Sequence, residues 1–217
     1  DETQGDRSTA IGYKALLNQN GINGEVHNTA VGYIAGDGIT TGRWNTLVGS
    51  ETGGGTTASG SIHIGKGAGG SVSTGNNNIA IGLLAMDGGT VTGDNNIAIG
   101  ADAGDALTSG ANNVFIGKNA GSAEDAGSNN VGIGPNALVL CNNDTGANVA
   151  IGNAAGSSIV AGYSNTLVGN GAGDGLTSGG NNVLLGRNSQ ASVNSGLNQI
   201  VLGKDSAGHG NNIAVIG

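Results

Sequence analysis

The apolar residues of this chain arrive in short bursts of one form. Asn is followed by Ile, Val or Thr, then a variable residue, then Ile or Val, then Gly. The pattern opens as STAIG at Ser8–Gly12, NTAVG from Asn28, NTLVG from Asn45 and SIHIG from Ser61. It continues as NIAIG from Asn78 and Asn96, NVFIG from Asn113, NVGIG from Asn130 and NVAIG from Asn148. NTLVG from Asn165, NVLLG from Asn182, QIVLG from Gln199 and the degenerate NIAVIG from Asn212 complete it. A burst this short, bounded by Asn and Gly, predicts a strand and not a helix. Its return about every 17 residues predicts one unit stacked on copies of itself. The expected fold is therefore all-β: a parallel β-solenoid of about 13 coils, one repeat domain over residues 1–217.

Aligning the repeats gives each column a task. Residues i and i+2 of a strand share a face, so pairs such as Ile79/Ile81 and Ile97/Ile99 are expected to point into the coil. The residue between them then points outward. Eleven of the 13 residues in that central column are apolar and none carries a fixed charge. A second burial surface follows, most simply against further copies of the chain. On this reading Ala80, Ala98, Phe115, Ala150, Leu167 and Leu184 line an interface between copies of the chain, and His63 is an interface histidine held by a hydrogen bond. Three residues after each Gly stands a small residue, from Ala15 and Ala35 to Ser189 and Ser206, marking a tight corner. A weaker second strand is expected beyond it, anchored by Ile39, Val72, Leu107, Ile159, Leu176 and Val193. The opening Asn column reads as a hydrogen-bonded ladder. Stretched repeats predict outward bulges at Leu16–Val26 and Leu138–Thr145.

Composition narrows the choice. The chain has 46 Gly, one Pro and 10% charged residues, with five aromatics in all. Ala, Val and Ile in register fit a thin core between close backbones, whereas collagen needs a strict Gly period with Pro. A net charge of −8 and only seven Lys and Arg argue against nucleic acid. No apolar run approaches the ~20 residues of a membrane span, so no membrane insertion is expected. The lone Cys141 says little about compartment. Beginning at Asp1 and ending on Ile216–Gly217, the sequence reads as an excised piece from which an anchor or chaperone domain is absent.

Two solenoid types with comparable periods fit poorly. The hexapeptide helix needs an aliphatic residue every sixth position, and the calcium β-roll needs Gly-Gly-x-Gly-x-Asp nonapeptides. Asp37, Asp105 and Asp174 follow Gly at one corner but read as solvated turn residues, not calcium ligands. The NIAIG-x-x-A units instead resemble the head repeats of trimeric autotransporter adhesins, which stack as a left-handed parallel β-roll. Longer stretches such as NTAVGYIAGDGITTG at Asn28–Gly42 and NTLVGNGAGDGLTSG at Asn165–Gly179 are similar to repeats of bacteriophage tail fibres. This resemblance covers nearly the whole chain. It implies a homotrimer, which makes the interface between copies a trimer interface, on the outside of a cell or virion, in a structural or adhesive role, with a glycan or protein receptor as partner. The coil is longer than the adhesin unit, which implies an enlarged outer turn.

Catalysis would require a nucleophile beside a positioned base. His27, His63 and His209 fall in different repeats and columns, and acidic residues do not pair. We therefore expect neither an enzyme nor a cofactor or metal site. Tyr13, Tyr33 and Trp44 cluster in the first quarter of the chain. They read as caps of an exposed first coil or as a glycan-contacting patch. Two alternatives stand beside the fibre segment: a self-polymerising filament subunit without ligand, and an ice-binding solenoid. The latter rests on a mixed Thr/Ser column from Thr41 and Ser59 to Ser178 and Ser195.

Overall fold

The computed structural model describes residues 7–20, 26–55, 57–142 and 146–217. Its strands are β1 Thr9–Ile11, β2 Thr29–Val31, β3 Thr46–Val48, β4 Ile62–Ile64, β5 Ile79–Ile81, β6 Ile97–Ile99 and β7 Val114–Ile116. β8 Val131–Ile133, β9 Val149–Ile151, β10 Thr166–Val168, β11 Val183–Leu185, β12 Ile200–Leu202 and β13 Ala214–Ile216 follow. All 13 lie in a single sheet in chain order. Every neighbouring pair is parallel, as in Ile97↔Val114, Ala98↔Phe115 and Ile99↔Ile116. The molecule is thus a parallel β-solenoid, one strand per coil, with coil n opening at strand βn. Twelve steps of ~4.8 Å stack the strands over roughly 58 Å.

The Gly that closes each motif is required by this stacking. Gly100 has φ +136°, and a Cβ placed on it would lie 2.6 Å from the carbonyl carbon and oxygen of Gly117 in the next coil. Few other residues reach that conformation, and none can bring two backbones so close. The residue before each opening Asn is left-handed, as at Trp44, Asn77, Asn95, Asn112 and Asn129, with φ 56–63°. Asn tolerates this region better than most side chains, which explains the frequent Asn-Asn pairs.

The inside of the coil is the reverse of the sequence expectation. Ala80, Ala98, Phe115, Ala150, Leu167 and Leu184 are fully buried by their own chain, so they do not line an outer interface. The flanking residues, expected in the core, point outward and stay half-buried or exposed in every strand from β2 to β12. The reason is volume. Opposite the central residue lies the corner six positions later, and in several coils the two trade size, while Ala30/Gly36, Ala98/Gly104 and Ala150/Gly156 are small at both places. Where the centre is Ala80 or Gly132, the corner holds Met86 or Leu138, both fully buried. Where it is Leu47, His63 or Phe115, the corner is Gly53, Gly69 or Gly121, and an added Cβ would strike the larger central side chain. The gap across a coil admits one sizeable side chain, not two β-branched ones.

The anchor column is buried at Ile39, Val72, Leu107, Ile159 and Leu176, but Val193 is 56% exposed. Gln19, Glu124 and Cys141 take the anchor place in their own coils and are buried. The second strand does not form as a strand among the described residues. Turns joined by isolated bridges such as Val72↔Val91 run there instead, with coil-to-coil bonds including Thr177 N–H to Asn194 O at 2.8 Å. The last motif is shifted by one residue: Val215, not Ala214, pairs with Val201 in the central column. Of the two expected bulges, residues 21–25 and 143–145 lie outside the described residues. Leu16, Val26, Leu138 and Cys141 at their borders face the core and are buried.

The Asn ladder is present, built from side chain to backbone. The amide of Asn96 donates to Gly110 O at 2.8 Å, and its Oδ1 accepts the backbone N–H of Asn113 at 3.0 Å. The same pair of bonds recurs from Asn148 through Asn165 to Asn182. Each buried amide therefore closes its own coil and ties it to the next, leaving buried polar groups satisfied. Ser61 interrupts the column, accepting Asn78 N–H on its hydroxyl at 3.2 Å.

Candidate functional site

Turning the flanking columns outward leaves the sheet with an outer face of Ile, Val and Leu, broken by Thr9, Thr29, Thr46 and Thr166. Val48, Ile62, Ile64, Ile151, Val168, Leu185 and Ile200 are 36–45% exposed, and no charged residue interrupts the strand positions. Two columns about 7 Å apart along a roughly 58 Å stack make a stripe on the order of 400 Å². That is comparable to the largest apolar patch of an ordinary monomer, and about half of the ~800 Å² that one partner gives to a standard interface.

Both borders of the stripe mix polar with apolar residues, the latter including Trp44 on one side and Tyr13, Tyr33 and Leu83 on the other. Exposed Asn77, Asn95, Asn112 and Asn129 run along one, and Lys66, Lys118, Arg187 and Lys204 along the other. Lys66 pairs with Glu51 at 3.9 Å and Arg187 with Asp205 at 3.2 Å, both well exposed. Hydrogen bonds from Asn188 and Arg187 hold the Asp205 carboxyl below its usual range. An apolar centre with a rim that includes polar groups follows the anatomy of a protein–protein interface.

The structure brings together two of the three predicted aromatics. Tyr13 and Tyr33 stack with centroids 5.5 Å apart and planes at 13°, and Lys14 Nζ lies over the Tyr13 ring at 5.4 Å. Their place just after the motif Gly puts them in one column of adjacent coils. Trp44 precedes Asn45, at the opposite border of the strand, with Arg43 over its ring at 5.8 Å. Among the described residues no ring contact joins it to the tyrosines. All three are more than half exposed.

The remaining candidates are dispersed. Asp37, Asp105 and Asp174 sit half-buried at the corners of separate coils. Burial, and after it the charge of Asp102, raises the Asp105 carboxyl above its usual range; burial and then Asp105 do the same to Asp87. No group of three or more His, Cys, Asp or Glu converges among the described residues. The Thr/Ser column lies at turns and not on the flat sheet face, and Thr145 is outside the described residues. His63 is inside the coil core, and among the described residues it lacks the hydrogen bond expected of it. No helix among the described residues is long and apolar enough to cross a membrane. Comparison of the chain with protein-family models, with curated proteins and with solved structures finds no match in any of the three.

The outward columns were missed in the sequence because bulky aliphatics were assigned to the core by default. The signal that finds them is the size exchange six residues apart, Ala80 with Met86 and Gly132 with Leu138 against Phe115 with Gly121.

Proposed function

We propose that this chain is a segment of an extracellular fibre, structural and adhesive, on the exterior of a virion or cell. In this reading three copies associate in parallel as left-handed β-rolls. The observation that carries it is the mainly aliphatic outer face, which runs the length of the stack without a charged residue. Its occupant is two further copies, because a mainly aliphatic stripe matches an identical stripe at every level, and burying it gives roughly 25 cal/mol per Å². The resemblance of the NIAIG-x-x-A units to adhesin and tail-fibre repeats supports the same assembly. The receptor in this reading is a cell-surface glycan or protein, met by the exposed rings of Tyr13, Tyr33 and Trp44.

Sedimentation of the purified chain tests the reading. The wild type should sediment as three chains. Ile99→Asp, on the outer face, should give a single chain whose circular dichroism is unchanged. A wild type that is monomeric at micromolar concentration overturns the fibre reading, and open filaments in micrographs would replace it with end-to-end polymerisation.

A further inference from the structure

One core side chain breaks the chemistry of its column. His63 stands at the centre of β4, between Leu47 of β3 and Ala80 of β5. It is 2% exposed, and among the described residues neither Nδ1 nor Nε2 has a hydrogen-bond partner. The space for its ring exists because the facing corner is Gly69: a Cβ there would collide with the imidazole, and one on Gly53 would come within 3.3 Å of Nδ1.

A cavity lined by Ile39, Asn45, Leu47, Gly53, Ala58 and Val72 adjoins the ring. Asn45 is the polar side chain there, and it is already engaged. Its amide donates to Ala58 O at 2.8 Å and its Oδ1 accepts Ser61 N–H at 3.0 Å. Charged groups of these coils face outward: Lys66 pairs with Glu51, Asp87 accepts from Ser71, and Arg43 covers Trp44. None of these lines the cavity, so an imidazolium at position 63 would have no counter-charge beside it.

We propose that His63 is an acid-operated release, whose protonation opens coils 3 to 5 while the more distant coils stay folded. A charged ring needs water or an acceptor, and the described residues around it offer no free acceptor unless the coil opens. The solenoid allows a local response because each coil contacts only its neighbours. Burial holds the imidazole down to about 4, against 6.5 for an exposed histidine. The sign follows from that lowering. Stability is full above about pH 6.5 and is lost as pH falls towards 4, because the opened segment binds the proton first. Asp87 and Asp105 act oppositely, since their raised values make acid relieve a cost.

Hydrogen exchange read by mass spectrometry, corrected for intrinsic rate, tests this at pH 7 and pH 4. In the wild type the opening constant of coils 3 to 5 should rise on the order of 100-fold, while coils 9 to 12 change little. His63→Leu introduces a residue that the same column holds at Leu47, Leu167 and Leu184, and it should abolish the acid step. His63→Ala, matching Ala80, should do the same if the Leu variant fails to fold. Acid opening spread evenly along the rod, or an unchanged step in the folded variant, overturns the proposal. So does an imidazole NMR titration of His63 with its midpoint at 6 or above.

Discussion

On β6 the two sides of one strand carry opposite chemistry in an unexpected order. Ile97 and Ile99 face out, while Ala98, the smaller and less hydrophobic residue, is fully buried. Hydrophobicity alone would place them the other way. Geometry decides: Ala98 faces the corner at Ala103–Gly104, and the inner space beside that corner is filled by Leu107 and by the Phe115 ring of the next coil. A Cβ on Gly104 would already be 3.4 Å from that of Ala98. The lesson is that in a thin solenoid the space inside the coil selects the inner residue, and aliphatics of the flanking columns stay on the outer face whatever their hydrophobicity.

The most severe way to break this comparison is to place one charge on each side. Ala98→Asp buries an unpaired carboxylate against Ala80 and Phe115, at a cost of roughly 5 kcal/mol. Chemical denaturation should show coils 5 to 7 unfolding first, or no folded chain at all. Ile99→Asp should leave the coil intact and remove only association. If Ala98→Asp folds normally and merely dissociates, the inside and outside assigned to β6 are wrong.

Much of the architecture was legible in the residues. The period, the strand positions, the Gly corners and the Asn ladder followed from columns in which a single residue type recurs for a single physical reason. Which side of the strand faces inward was not legible from apolarity. The central and flanking columns are both apolar, so a period of two gives the same reading with either side buried. Only the exchange of size with a residue six positions on, Ala80 with Met86 or Phe115 with Gly121, breaks that symmetry. Val193 was misplaced because Ile, Val and Leu were the expected anchors, whereas the fold also accepts Glu124 there. That carboxylate accepts Gly127 N–H at 2.7 Å and the Asn130 amide at 3.2 Å. In the last repeat, NIAVIG offers two alignments, and Gly217 stacked on Gly203 selects the later one.

A milder perturbation separates the polar part of the inner side from the apolar part. Asn113 donates to Gly127 O at 2.8 Å and to Asn96 Oδ1 at 3.1 Å, and it accepts Asn130 N–H at 2.8 Å. Asn113→Ala leaves a buried carbonyl and a buried N–H unmet, which should cost about 3 kcal/mol. Thermal unfolding should register the loss without any change in association, since no outer side chain is touched. A cost below about 1 kcal/mol would mean that the ladder is incidental and that backbone stacking alone holds the coils.

The smallest effect is expected at the outer border, where Tyr33 stacks on Tyr13. Both rings are more than half exposed, so Tyr33→Ala should cost less than about 1 kcal/mol, mostly lost stacking. Any larger consequence must therefore be functional. If the rings meet a glycan, Tyr33→Ala should weaken binding to cells or a glycan array while thermal unfolding and sedimentation stay as in the wild type. Trp44→Ala reports separately, because Trp44 lies across the strand with Arg43, and among the described residues no ring contact joins it to the tyrosines. Loss on Tyr33→Ala alone would locate the contact at the stacked pair. Loss on Trp44→Ala alone would place it at the opposite border. Binding that survives the double variant would leave this segment a spacer, its aromatics no more than caps on the first coils.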